Sequence, residues 1–185
     1  MPRCDLPMLP TGLALPDSEM GTLWLVGMMG SGKTTVAALV GERLRRPVVD
    51  TDAAVATESG RSVEAWLAQD PAGFRAAEHR AIAAVAGAEH VVACGGGVVL
   101  DDASVATMRA TGLVVWLDAP VDALADRVGA GPGRPLLGAD PEADLARIAA
   151  ARQDRYRDAA HVVVAATGSP EDVAEAVMAA WASSS

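Results

Sequence analysis

Phosphate chemistry is indicated by one glycine-rich run, Gly27-Met28-Met29-Gly30-Ser31-Gly32-Lys33-Thr34-Thr35. It fits the pattern G-x-x-x-x-G-K-[ST], whose glycines let the backbone curl so that successive N–H groups point at phosphate oxygens. Lys33 would add positive charge near the β- and γ-phosphates, and the Thr34 hydroxyl is suited to ligating Mg²⁺. A β-forming apolar run at 22–26 precedes it and helically spaced apolar residues at 36–44 follow, which is the context such a loop requires. The sequence therefore predicts a nucleoside triphosphate site built from Gly30, Ser31, Gly32, Lys33, Thr34 and Thr35.

Two acids, Asp50 and Asp52, end a predicted buried strand at 47–52. Residues two apart on an extended segment point to the same side, so both carboxylates would face one site. One acid could hold Mg²⁺ near Thr34, and the other could accept the proton of an attacking hydroxyl group, as in other phosphoryl transferases. The alternative is a solvated Asp-Thr-Asp turn, which is the weaker interpretation beside a phosphate loop.

Three consecutive glycines, Gly95, Gly96 and Gly97, follow another predicted strand. Such a run is costly in backbone entropy. Close approach of a polyol to the main chain would explain it, and a plain strand-to-helix turn is the alternative.

Three arginines are candidates for anion binding. Arg134 lies in a Gly/Pro-rich loop, from which it could neutralise charge on the transferred group and help to exclude water. Arg75 has Glu78 on the same helix face to orient it, and Arg152 has Tyr156 one helical turn later. Taken alone, Arg75 and Arg152 are more simply explained as surface charges, and a surface arginine is the alternative for Arg134.

The composition limits the class of protein. A chain of 185 residues with 51% hydrophobic and 21% charged residues suits one globular domain with a full core. A net charge of −9 argues against a nucleic-acid or anionic-membrane surface. No apolar run reaches the roughly 18–20 residues of a membrane span. The two cysteines, Cys4 and Cys94, have no metal-ligand spacing, so a reducing cytosol is expected.

The N-terminal segment at 1–20 is expected to be a disordered tail. It contains Pro2, Pro7, Pro10 and Pro16 and lacks the long apolar stretch of a signal peptide. Met20, directly before the first strand, is an alternative start.

The remaining pattern alternates strands and helices. Strands are predicted at 22–26, 47–52, 90–94, 113–118 and 161–165, and helices at 36–44, 101–111, 121–128, 141–158 and from 170, with short helical patterns over 53–87. Continuous apolar strands that alternate with helices indicate an α/β domain with a parallel sheet covered on both faces. Ligands of such sheets lie at the carboxyl ends of the strands, so the phosphate loop, the two acids and the glycine triplet should share one cleft.

Taken together and in order, five motifs resemble those of the shikimate kinase family, namely 27–35, Asp50-Thr51-Asp52, Phe74-Arg75-x-x-Glu78, Gly95-Gly96-Gly97 and Arg134-Pro135-Leu136-Leu137. The resemblance covers the chain from about residue 22 to its end. It implies the nucleoside-monophosphate-kinase-like P-loop fold with a five-stranded parallel sheet in one domain at 21–185. It also implies a helical substrate insert at about 53–87 and a mobile lid at about 129–140.

The activity implied by the resemblance is transfer of the γ-phosphoryl group of ATP to the 3-hydroxyl of shikimate, in the shikimate pathway of aromatic amino acid biosynthesis. ATP and shikimate would be the small-molecule partners of a cytoplasmic protein that is expected to be a monomer. On the nucleotide side, Lys33 and Arg134 would contact ATP, Thr34 and Asp50 would hold Mg²⁺, and Arg127 would stack on adenine.

On the substrate side, the resemblance implies that Asp52 contacts the reacting hydroxyl group. Arg75 and Arg152 would grip the substrate carboxylate, and the backbone of Gly95–Gly97 would contact the ring. Asp52, Lys33 and Arg134 are then the catalytic residues.

Some positions depart from the family pattern. Ala72-Gly73 stands where Gly-Glu is usual, Ala56 replaces a common acid, and Leu67 occupies the place of a pocket aromatic. All lie in the insert, so they bear on the identity of the ring substrate more than on the reaction.

Several alternative functions are compatible with parts of this sequence. A kinase of a related polyol, such as aminoshikimate or a cyclitol, is the nearest one. A gluconate kinase lacks support because its Gly-Asp-x-Leu-His segment is missing, and a nucleoside-monophosphate kinase would have no role for the Asp50-Thr51-Asp52 motif. A non-catalytic nucleotide-binding regulator is disfavoured by the retention of Asp52 and the dispersed arginines.

Overall fold

Parallel strands form the centre of the computed structural model, which describes residues 21–128 and 140–184. The strands are β1 (Thr22–Val26), β2 (Val48–Asp50), β3 (Val91–Ala93), β4 (Gly112–Asp118) and β5 (Val162–Ala165). They are ordered β2-β3-β1-β4-β5, and every neighbouring pair is parallel. The predicted five-stranded parallel sheet is confirmed.

Helices cover both faces of this sheet. They are α1 (Lys33–Leu44), α2 (Thr51–Ser59), α3 (Val63–Gln69), α4 (Pro71–Val85), α5 (Asp102–Thr111), α6 (Val121–Val128), α7 (Pro141–Ala159) and α8 (Pro170–Ser183), with a 3-10 turn at Val98–Leu100. Alternate residues of β1 enter opposite cores: Leu23 packs with residues of α1 and α8, whereas Trp24 packs with residues of α5, α6 and α7. This two-sided burial explains why the central strands are continuous apolar runs.

The helices α2, α3 and α4 lie between β2 and β3 and have a small core of their own, centred on Val55, Phe74 and Ala77. Ser62 caps α3 by accepting a hydrogen bond from the N–H of Ala65 at 3.1 Å. The assignment of 53–87 as the substrate-binding insert stays a prediction. The predicted tail at 1–20, Arg134 and nearly all of the predicted lid at 129–140 lie outside the described residues.

The prediction of a buried strand at 47–52 with both acids on it is wrong. The strand ends at Asp50, lies at the edge of the sheet, and leaves Val48 42% exposed. Asp50 is the N-cap of α2, and its Oδ1 accepts a hydrogen bond from the N–H of Ala53 at 3.1 Å. Because this cap starts the helix, Asp52 lies in the first turn of α2.

Other predicted boundaries differ by a few residues. The first helix begins at Lys33 instead of 36, because the turn of the loop leads directly into it. The remaining strands and helices begin or end within one residue of the predicted positions. Among the described residues, no helix has both the length and the apolar character needed to cross a bilayer.

Candidate active site

The phosphate loop connects β1 to α1. Its backbone is left-handed at Gly30 (φ 81°) and Gly32 (φ 88°), a conformation that side chains rarely adopt. The first helical hydrogen bond of α1 runs from the N–H of Val36 to the carbonyl of Gly32 at 2.9 Å. The N–H groups at the start of α1 therefore open toward the loop, where they and the helix dipole favour an anion.

Lys33 places its ammonium group beneath this loop. Its Nζ donates hydrogen bonds to the carbonyls of Gly27 and Met28, both at 2.8 Å. Burial lowers the pKa of Lys33 to about 8, although Asp52 and other acidic groups nearby oppose the shift. The lysine is thus a cation at neutral pH, held next to the anion site.

Asp50, at the end of β2, and Thr34, in the first turn of α1, bring two side-chain oxygens together. The Thr34 hydroxyl donates to Asp50 Oδ2 at 2.8 Å. Adjacent carboxylate and hydroxyl oxygens suit a hard divalent cation that takes its other ligands from phosphates and water. In the part of the chain that the structure describes, no three His, Cys, Asp or Glu side chains are grouped so that they could hold a metal ion.

The Asp52 carboxylate faces the glycine turn that follows β3. A Cβ atom on Gly95 would lie 2.5 Å from Asp52 Oδ1. Burial and the neighbouring Asp50 raise the pKa of Asp52, against the effects of Lys33 and Arg75. Since a raised pKa makes a carboxylate a stronger base, this group is suited to accepting a proton.

Arg75 and Glu78 form an ion pair on α4, with Nη1 of the arginine bonded to Oε2 of the glutamate. Glu78 is only 1% exposed, and burial raises its pKa to about 7 although the arginine favours its charged form. Within the described residues, its Oε1 has no hydrogen-bond partner. The predicted orienting role of Glu78 toward Arg75 matches this contact.

The glycine turn gives these side chains room. A Cβ atom on Gly97 would clash with the Arg75 guanidinium, and one on Gly95 would lie 2.5 Å from Glu78 Oε1. The absence of side chains at Gly95 and Gly97 is therefore explained by close packing of protein groups, in addition to the predicted approach of a polyol.

Arg152 reaches the same turn from α7. Its Nη1 donates to the carbonyl of Gly96 at 2.9 Å, and the Tyr156 hydroxyl donates to the same oxygen at 2.6 Å. From the sequence, Tyr156 is recognisable only as a helical neighbour of Arg152. Its helical spacing was the available signal, but the sequence could not show a contact with a glycine 60 residues away.

An open cavity of about 610 Å³ adjoins the phosphate loop and is large enough for a nucleotide. Arg127 Nη1 lies 3.5 Å from the carbonyl of Gly30, which places this arginine beside the loop. The cavity is lined by Met29, Gly30, Ser31, Gly32, Lys33, Thr34, Thr35, Val36, Asp50, Asp52, Cys94, Arg127, Gly168, Pro170 and Val173. It therefore unites the predicted nucleotide residues, except Arg134, which lies outside the described residues.

The chain is similar to known proteins in both sequence and structure. The sequence model of the shikimate kinase family matches residues 29–182. A shikimate kinase from Symbiobacterium thermophilum is 49% identical over 75% of this chain and 82% of its own, and one from Streptomyces avermitilis is 41% identical over 83% and 91%. The structure of shikimate kinase from Acinetobacter baumannii in complex with shikimate superposes with a TM-score of 0.84 at 28% identity, covering 89% of this chain and 94% of that one.

Proposed function

The chain belongs to the shikimate kinase family, and we propose that it transfers the γ-phosphoryl group of ATP to the 3-hydroxyl of shikimate. The family and the P-loop kinase fold predicted from the sequence are confirmed, and the chain is an enzyme. The observation that carries the proposal is the meeting of Asp52, Arg75 and Arg152 at one glycine turn beside the phosphate loop.

ATP would bind with its phosphates on the loop. The N–H groups of residues 30–35 and the ammonium of Lys33 would contact the phosphate oxygens. Thr34 and Asp50 would hold Mg²⁺, because their adjacent oxygens suit this ion. When bound, Mg²⁺ would neutralise charge on the β- and γ-phosphates. Arg127, beside Gly30, would pack on the adenine.

Shikimate would bind between α4 and α7. Arg75 and Arg152 both approach the Gly95–Gly97 turn, where two guanidinium groups can hold one carboxylate. Ring hydroxyls would then lie near Asp52. The Acinetobacter baumannii relative, whose structure contains shikimate, supports this choice of ligand.

The chain's own groups would carry the reaction as follows. Asp52 would accept the proton of the attacking 3-hydroxyl, while Lys33 would stabilise the charge on the transferred group. We expect Arg134, from the predicted lid, to add positive charge and help to exclude water. Because all of these residues come from one chain, we propose that the protein acts as a monomer. We also propose that it acts in the cytoplasm, as its two cysteines suggest.

Release of ADP in the presence of Mg²⁺ tests the proposal. The candidate acceptors are shikimate, aminoshikimate, a cyclitol, gluconate and nucleoside monophosphates, and NMR of the product locates the phosphate. We expect turnover with shikimate and phosphate at the 3-hydroxyl. Preference for another acceptor would reassign the substrate, and ATP binding without turnover on any acceptor would support the non-catalytic regulator.

A further inference from the structure

The carbonyl oxygen of Gly96 receives two hydrogen bonds from one face of α7. The donors are the Tyr156 hydroxyl, at 2.6 Å, and Arg152 Nη1, at 2.9 Å. The two residues are four positions apart, so they are neighbours on the helix surface. Arg152 has a role in the proposed function, and Tyr156 has none so far.

Tyr156 is held rigidly. Its side chain is only 1% exposed, and its ring stacks on Trp116 with centroids 5.6 Å apart and an interplanar angle of 15°. Burial raises the pKa of Tyr156 to about 12, although the nearby Arg152 opposes the shift. The phenol therefore remains a hydrogen-bond donor throughout the neutral range.

Gly96 lies where the glycine turn, Gly95–Gly97, meets the phosphate loop. A Cβ atom on Gly96 would be 3.6 Å from the carbonyl oxygen of Gly27 and from the backbone nitrogen of Met29. Gly96 itself is half-buried, between the buried Gly95 and Gly97. A shift of the Gly96 carbonyl would therefore disturb both the glycine turn and the phosphate loop.

The two bonds to Gly96 would respond differently if Arg152 turned toward a bound carboxylate. A guanidinium carries five N–H donors, and if Arg152 turns Nη1 toward a carboxylate it gives up the bond from that atom to the Gly96 carbonyl. A half-buried carbonyl left without a donor would then be unfavourable. The Tyr156 hydroxyl would avoid this cost, because its own hydrogen bond to the Gly96 carbonyl would remain after Arg152 had turned away.

We infer that Tyr156 is a positioning residue for the substrate carboxylate: its hydroxyl retains the Gly96 carbonyl, so that Arg152 can exchange that carbonyl for the carboxylate. This inference rests on the proposed function, in which Arg152 binds the carboxylate of shikimate.

Tyr156→Phe tests the inference, since it removes the hydroxyl and keeps the ring on Trp116. The dissociation constant and KM are measured for shikimate and for its neutral alcohol analogue, in which CH₂OH replaces the carboxylate. We expect the affinity for shikimate to fall about tenfold, as for a polar group that loses its partner, with little change for the neutral analogue or in kcat. Equal weakening of both ligands, or no weakening of either, would overturn the inference.

Thr22→Val is the matched control. Thr22 is fully buried, and its hydroxyl bonds to the carbonyls of Val85 and Ala88 at 3.0 and 2.7 Å, at the opposite end of β1 from the phosphate loop. This variant should lose stability and keep the wild-type ratio of affinities for the acid and the alcohol. A changed ratio in the control would mean that any lost buried hydroxyl produces the effect, and the inference would fail.

Tyr156 is the sole tyrosine of the chain, so 3-fluorotyrosine introduced in place of tyrosine labels this site alone. Its ¹⁹F resonance, which needs no destabilising substitution, should shift when shikimate binds and shift much less with the alcohol analogue. The same change with both ligands would contradict a response to Arg152 leaving Gly96. Wild-type protein that fails to bind shikimate would instead refute the proposed function, so the two failures are distinguishable.

Discussion

Lys33 donates hydrogen bonds to carbonyls of the phosphate loop, and its pKa is lowered to about 8 by burial. The proportion of charged lysine therefore falls as the pH rises through about 8, and with it the attraction for phosphate. We expect the affinity for ATP to decrease between pH 7 and 9.5 in calorimetric titrations. Lys33→Arg is the control, because arginine stays charged over this range. A wild-type affinity that is flat with pH, like that of the control, would contradict this assignment of charge.

Asp52 lies against the glycine turn, whereas Asp50 pairs with Thr34 beside the phosphate loop. Asp52→Asn should preserve ATP binding and lower kcat by roughly 10²- to 10⁴-fold, as for the loss of a general base. Asp50→Asn should mainly weaken binding of the Mg²⁺–nucleotide complex. Steady-state kinetics and nucleotide titrations on both variants test these roles. If Asp52→Asn weakens nucleotide binding and Asp50→Asn mainly lowers kcat, the two roles are exchanged.

Glu78 should make stability depend on pH. Its pKa rises from 4.5 to about 7 in the folded protein, so the native state binds more protons than the unfolded state between these values. Stability from this group is therefore lost as the pH rises through that window. Urea unfolding should show wild type losing roughly 2 kcal/mol relative to Glu78→Gln between pH 5 and 7.5. A gain in wild-type stability relative to the variant would contradict the direction of the shift.

At the scale of elements, the glycine turn after β3 packs against the guanidinium of Arg75, which we propose binds the substrate. In Gly97→Ala the new methyl group would meet the mobile end of Arg75, with no forbidden backbone angle at φ −106°. The arginine can move aside only by weakening its ion pair with the buried Glu78, so some stability should also be lost. Displacing it should raise KM for shikimate about tenfold, by partial loss of a charged hydrogen bond, and leave KM for ATP unchanged. Kinetics with each substrate varied check this, and an equal rise in both KM values would point to general damage.

The elements also show what the sequence could and could not predict. The phosphate loop, the sheet and most helix boundaries follow from local patterns, because glycine geometry and apolar periodicity act over a few residues. The start of α2 was missed, since it depends on whether Asp50 continues a strand or caps a helix. The contact of Tyr156 with Gly96 depends on how α7 packs against the turn, which no local pattern reports.

At the scale of the whole molecule, the strand order β2-β3-β1 explains why distant motifs meet. Asp50 is the last residue of β2, the glycine turn follows β3 and the phosphate loop follows β1, so the three lie side by side at the carboxyl ends of adjacent strands. The helix α7 then brings Arg152 to the turn, and α4 brings Arg75. The predicted convergence of the motifs is a consequence of this topology.

The central claim is that Arg75 and Arg152, brought together at the glycine turn, bind a substrate carboxylate next to the phosphate loop. The most direct measurement is kcat/KM for shikimate and for its methyl ester, in wild type, Arg75→Ala and Arg152→Ala. Arg147→Ala is the control, because Arg147 is on the same helix as Arg152 and its side chain is 70% exposed. Wild type and the control should prefer the acid by about 100-fold or more, and each site variant should lose most of that preference. Equal rates for acid and ester in wild type would contradict the account.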